Sequence, residues 1–179
     1  MNARRKGHLN PVVLAAILVA LSALPATPAQ AATTGAASKA ATPAQGVLSA
    51  DLEGGPIALS RVGSLHCHDF DRPRIHCFST QVALDAAVST TLMTSSTNYV
   101  LVFDGAGFTG SSMYISGDYS VLAAIGWNDR ISSFKGQNGE FGTFYTDWFY
   151  GGSTWSFCCN QQASSLGSFN DAISSVQRT

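Results

Sequence analysis

The chain has 179 residues, with 10 Lys and Arg against 11 Asp and Glu, for a net charge of −1. Charged residues make up only 12% of it and hydrophobic residues 45%. That length fits one domain with extensions, or two small units, and so weak a charge offers no polybasic face for nucleic acid.

The first segment reads as an export signal. Arg4, Arg5 and Lys6 precede an apolar run from Val12 to Leu24, broken at Pro25, and Ala29-Gln30-Ala31 supplies small residues at a cleavage spacing. Positive, apolar and small-residue regions in that order predict a secretory signal over residues 1–31. The apolar run falls short of the ~20 residues that cross a bilayer. With no second long apolar run, the mature chain is predicted to be secreted, extracellular and free of the membrane. Removal of residues 1–31 leaves 7 basic against 11 acidic residues, a net charge of −4.

Residues 32–63 are predicted to be a flexible linker or pro-segment. Residues 32 to about 46 are Ala, Thr, Ser, Gly and Pro with Gln45 and one charge, Lys39, and cannot bury a core. Residues 47–63, punctuated by Gly54-Gly55-Pro56, are grouped with them. Residues 64–97 form a predicted accessory segment. Leu65, Cys67, Ile75 and Cys77 alternate with polar neighbours on two short strands around a turn near Asp71-Arg72-Pro73. Val82, Ala83, Ala86 and Ala87 then recur at helical spacing behind Ser79 or Thr80, which predicts a helix of about two turns.

The cysteines are Cys67, Cys77, Cys158 and Cys159, all in the exported part, where thiols oxidise. Four cysteines allow three pairings; the short Cys67–Cys77 loop is the favoured one. Cys158 and Cys159 are adjacent, so a strand turns them to opposite faces, and pairing with each other requires strained geometry. His66, His68 and His76 flank the first two cysteines, and two histidines on alternate residues of a strand share a face. Such a set could hold zinc or copper. A disulfide-closed hairpin with surface histidines is the preferred reading. No nucleophile accompanies these histidines in a recognisable order, so an enzyme is not expected.

From Tyr99 onward short aromatic and β-branched runs alternate with Gly, Asn, Asp and Ser, as all-β chains do. Two passages share one layout. Phe103, Phe108 and Gly110 give aromatic-x4-aromatic-x-Gly, followed later by Asn128-Asp129-Arg130-Ile131-Ser132-Ser133. Phe144, Phe149 and Gly151 give the same spacing, followed by Asn170-Asp171-Ala172-Ile173-Ser174-Ser175. Compound motifs repeating in order signal a duplicated unit. Met113-Tyr114-Ile115 and Thr154-Trp155-Ser156-Phe157 lie between as strands. Four strands per repeat predict a sandwich of two antiparallel sheets. The Asn-Asp-x-x-Ser-Ser loops offer carboxylate, amide, hydroxyl and carbonyl oxygens, a donor set for a hard cation such as calcium. One carboxylate per loop predicts weak sites, on the order of 10⁻⁴ to 10⁻³ M. The aromatics Trp127, Trp148 and Trp155 are expected in the core rather than at a sugar site.

On these motifs the chain over residues 98–179 resembles the microbial βγ-crystallin family. The resemblance implies an all-β fold, a two-Greek-key sandwich, with two calcium ions at one end. It implies Asp129 and Asp171 as side-chain ligands beside Asn128 and Asn170, and Ser132 and Ser174 as hydroxyl ligands. It implies carbonyls from Arg130 and Ala172, and hairpin carbonyls from Ala106 and Asp147. A secreted, non-catalytic calcium-binding module follows. Small actinobacterial metalloproteinase inhibitors and a killer-toxin-like protein are similar in architecture, which implies a protease partner or a toxin-like role as the alternative.

Overall fold

A computed structural model describes residues 47–92 and 98–178. The signal reading over residues 1–31 and the linker to residue 46 lie outside the described residues. The described residues all fall in one compact unit, 42–179.

The duplicated part folds as two interlocked Greek keys. β5 (Tyr99–Gly105) pairs antiparallel with β6 (Thr109–Ile115) and with β7 (Ser133–Gln137). In the second repeat β8 (Gly142–Tyr145) pairs with β9 (Thr154–Phe157) and with β11 (Ser175–Arg178). Pairing also crosses between the repeats. β10 (Gln162–Ala163) joins β7 of the first repeat, and Tyr119 bridges to Val176 of the second. The larger sheet therefore holds a strand of the second repeat, and an isolated bridge ties the first repeat to the smaller sheet. Phe134, Phe144 and Phe157 meet between the sheets with ring centroids 4.8–5.3 Å apart. Trp127 is fully buried beside them in the core, and Trp155 packs edge-on against Phe134.

Residues 49–63, expected as part of the linker over 32–63, are folded. β1 (Ser49–Leu52) and β2 (Gly55–Ile57) are strands, and a 3-10 turn spans Leu59–Ser64. Val62 is wholly buried in the crystallin-type core. Gly63 lies so close to the backbone of Gly126 that a Cβ there would stand 1.9 Å from the Gly126 carbonyl. The segment reads as a linker because its core contribution is a few scattered residues with no period. Its folding depends on the surface that receives it.

The hairpin β3 (His66–His68) and β4 (Arg74–Phe78) forms around the expected turn, closed by a Cys67–Cys77 disulfide. Cys158 and Cys159 are exposed and unbonded. β3 pairs parallel with β6, and β4 pairs parallel with β1, so the first sheet grows to eight strands and becomes mixed rather than antiparallel. α1 (Gln81–Leu92) is longer than the expected two turns, with Thr80 capping it through the Ala83 amide at 3.2 Å. Its buried face is Leu84 and Val88, not the Val82/Ala83 stripe; Val82 is 79% exposed. Leu84 and Val88 sit on Tyr99, Leu101, Phe103 and Tyr114. The alternate residues of β5 that a two-layer sandwich leaves in water are thus covered by a helix. No helix among the described residues is long and apolar enough to cross a membrane.

Candidate functional site

The two repeats superpose in register one residue away from the spacing read in the second hairpin. Phe103 stands opposite Ser133, and Tyr145 stands opposite Ser175. Phe103 meets Phe108 edge-on at 5.8 Å, and Tyr145 meets Tyr150 edge-on at 5.7 Å. Gly110 and Gly152 carry the positive φ values, +78° and +77°, whereas Gly151 has φ −101°. The working motif of the second repeat is therefore Tyr145, Tyr150 and Gly152. Phe144, Phe149 and Gly151 satisfy the same spacing one step earlier, which is why the sequence points to the wrong set. Phe144 is wholly buried in the core and Phe149 is exposed.

Each hairpin is tied to a serine of its own repeat. The Ser133 hydroxyl donates to the Gly105 carbonyl at 2.6 Å and accepts the Phe108 amide at 3.0 Å. Ser175 repeats this with the Asp147 carbonyl at 2.7 Å and the Tyr150 amide at 3.0 Å. Asp147 is thus the equivalent of Gly105 and not of Ala106, whose counterpart is Trp148. The Ala106 carbonyl accepts the Thr109 hydroxyl at 2.9 Å.

The Asn-Asp loops face one another and exchange partners. Asp129 donates its amide to Ile173 at 3.0 Å, and Asp171 donates its amide to Ile131 at 3.2 Å. Both aspartates adopt left-handed backbone, φ +53° and +52°, which asparagine and aspartate tolerate best among residues with a Cβ. That turn throws each carboxylate toward the other repeat. The Ser174 hydroxyl donates to Asp129 Oδ1 at 3.1 Å. Ser132 Oγ lies 2.9 Å from Asp171 Oδ1 and 3.0 Å from the Asp104 carbonyl. The preceding asparagines brace the carboxylates, with Asn128 and Asn170 donating to the other oxygen of Asp129 and Asp171 at 2.6 and 2.8 Å.

The two corners differ in charge. In the first, Arg130 pairs with Asp104 at 2.7 Å. In the second, Thr146 and Ala172 hold those positions, and the corner opens as a cleft of about 490 Å³ lined by Asn128, Asp129, Thr146, Asp147, Trp148 and Ser174. The oxygens fit a hard cation: each corner brings together a carboxylate and a hydroxyl, with backbone carbonyls nearby. Corner one already holds the Arg130–Asp104 ion pair; corner two has no such cation.

Residues 95–158 match the model of Peptidase inhibitor family I36. The match takes in the whole first repeat and the second hairpin, on a chain that itself builds two exchanged Greek keys. The Greek keys give residues 98–178 a βγ-crystallin-like fold.

Solved structures similar to this chain cover under half of it. A betagamma-crystallin from an archaeon is 28% identical, over 46% of this chain and 98% of that chain, with a TM-score of 0.41. A betagamma-crystallin domain from Flavobacterium johnsoniae is 30% identical, over 45% and 92%, with a TM-score of 0.39. The N-terminal domain of protein S is 28% identical, over 45% and 94%, with a TM-score of 0.42. No curated protein matches.

The histidines of β3 and β4 do not converge. His66 Nδ1 is 3.1 Å from both Gln81 Oε1 and Ser112 Oγ. His68 stands opposite His76 with ring centroids 5.2 Å apart. His76 uses both nitrogens on carboxylates, Asp51 at 2.9 Å and Asp71 at 3.3 Å. Among the described residues no group of three His, Cys, Asp or Glu side chains is placed to hold a metal. His68 is only 5% exposed, and its Nδ1 has no partner. Burial, then the neighbouring His76, lowers its pKa from 6.5 to about 4, with Asp71 and Asp51 opposing. In that window the unfolded chain takes a proton that the folded one refuses, so stability falls as pH falls. The melting temperature is expected to drop between pH 6.5 and 4, and His68→Phe to flatten that drop. An unchanged acid slope in the variant would assign the effect elsewhere.

Proposed function

We propose that this chain is an exported inhibitor of an extracellular peptidase, and that its twin corners bind two calcium ions that stabilise the domain. The family match over residues 95–158 supports the inhibitor reading. The export reading rests on residues 1–31. The calcium reading rests on one observation, the crosswise pairs Ser132–Asp171 and Ser174–Asp129, which bring oxygens of both repeats together at each corner.

A bound calcium supplies positive charge that holds oxygens of separate segments at one point. Asp129, Ser174 and the Ala172 carbonyl would hold it in one corner, and Asp171, Ser132 and the Arg130 carbonyl in the other. The asparagines orient the carboxylates. A ligand that binds only the folded chain raises its stability by mass action. Corner two is expected to bind more tightly, because Arg130 places a like charge in corner one.

Calorimetric titration of the full mature chain with calcium tests this. Wild type is expected to show two weak sites and a higher melting temperature in millimolar calcium. Ser132→Arg with Ser174→Arg is expected to lose both heats and the thermal shift. Heats that persist in the double variant would place the ions elsewhere, and a wild type without heats would remove calcium altogether. The inhibitor reading is tested separately, by assaying secreted metallopeptidases with and without the purified protein.

A further inference from the structure

Trp148 and Phe149 stand out because the fold does not require them. Trp148 is 52% exposed and Phe149 71%, against the expectation that the tryptophans are core. They occupy the tip of the second hairpin. In the first hairpin the equivalent positions are Ala106 and Gly107, so the same backbone is built there without any large side chain. The comparison is sharpest at Phe149. Its φ is +56°, and its counterpart Gly107 has φ +69°. That left-handed conformation costs an L-residue and costs glycine nothing. A phenylalanine there is strained and exposed at once, and neither local backbone preference nor burial accounts for it. By contrast Phe108 and Tyr150, also left-handed, pack on Phe103 and Tyr145.

The tip is also held still. The Phe149 amide donates to the Ser120 carbonyl at 2.7 Å, and the Trp148 indole donates to Asn128 Oδ1 at 2.8 Å. The Asp147 amide closes the turn on the Gly151 carbonyl at 3.1 Å. Exposed aromatics on a turn whose backbone is pinned suit a binding anchor, since the chain that carries them has little freedom left to lose.

We propose that Trp148 and Phe149 are the anchor that enters the apolar substrate cleft of a peptidase. This rests on the inhibitor reading above, and the matched residues include this hairpin. An exposed apolar hairpin tip complements a concave apolar pocket. The left-handed backbone at Phe149 differs from an extended strand, so the tip blocks a cleft with its side chains and is expected to remain uncleaved.

The test uses the full mature chain in calcium-containing buffer, against thermolysin and chymotrypsin as two peptidases with apolar clefts. Wild type is expected to inhibit at least one of them. Phe149→Gly is expected to keep or raise the melting temperature, because glycine accepts that φ. Trp148→Ala with Phe149→Gly is expected to weaken inhibition at least about 30-fold, the size of an interface hot spot. Phe141→Ala, at an exposed aromatic outside the tip (49% exposed), is expected to inhibit as wild type does. Equal inhibition by wild type and the tip variant would overturn the anchor and leave the inhibitor reading standing. A wild type that inhibits neither enzyme would overturn both for this class of cleft. A dimer in sedimentation that the tip variant abolishes would assign the patch to a second copy instead.

Discussion

Phe144→Ala is expected to cost about 3–5 kcal/mol of unfolding free energy, the range for deleting a buried ring. Phe144 is wholly buried, with ring centroids 5.2 Å from Phe134 and 4.8 Å from Phe157. Phe134 belongs to β7 of one sheet and Phe144 to β8 of the other. The three rings are therefore where the sheets are joined. Phe144→Leu keeps most of the volume and is expected to lose less than half as much. Chemical denaturation at fixed pH and calcium measures both, and a loss under about 1 kcal/mol for the alanine variant would show a core that collapses around the cavity.

Asp69→Ala is expected to be comparably severe, about 3–5 kcal/mol, as when one partner of a buried charged network is removed. The Asp69 side chain is fully buried. Its carboxylate accepts the Ser116 amide at 2.6 Å, the Tyr119 hydroxyl at 3.0 Å and Arg72 at 3.1 Å. Burial pushes its pKa up while Ser116, Arg72 and Tyr119 pull the other way. These bonds fasten the turn after β3 to the chain after β6, so they fix the N-terminal hairpin against the crystallin-type domain. Asp69→Asn keeps an acceptor for Ser116 and is expected to cost about 1.5–3 kcal/mol, the worth of a hydrogen bond to a charged group. Hydrogen exchange at the Ser116 amide distinguishes local loosening from global loss. Full protection in Asp69→Ala would contradict the role assigned to this carboxylate.

Much of the candidate site is legible in the residues. The Asn-Asp-x-x-Ser-Ser loops repeat because each Asp must sit in left-handed backbone and each pair of serines must serve two masters, the opposite loop and the local hairpin. The hairpin spacing was legible as well, but ambiguous. Two overlapping aromatic sets fit it, and only strand pairing shows that Tyr145 and Tyr150 form the ring contact while Phe144 turns into the core. Trp148 misleads for a related reason: its large apolar side chain signals burial in any one-dimensional reading, and its exposure is set by the turn that carries it. The sequence offered one signal for this, the contrast between Ala106-Gly107 and Trp148-Phe149 at matching places, and it becomes visible once the register is right.

By itself the sequence determined that the chain holds a duplicated β unit, where its strands lie, and which oxygen-bearing loops recur. Those features are local, set by alternation, glycine and short motifs acting over a few residues. Only the tertiary structure decided that β10 of the second repeat joins the sheet of the first, that residues 49–92 extend that sheet and cover its outer face, and that Asp129 meets Ser174 while Asp171 meets Ser132. Those are pairings between segments 39 to 45 residues or more apart. They are chosen by which surfaces can be buried together, a condition that no single stretch of sequence states.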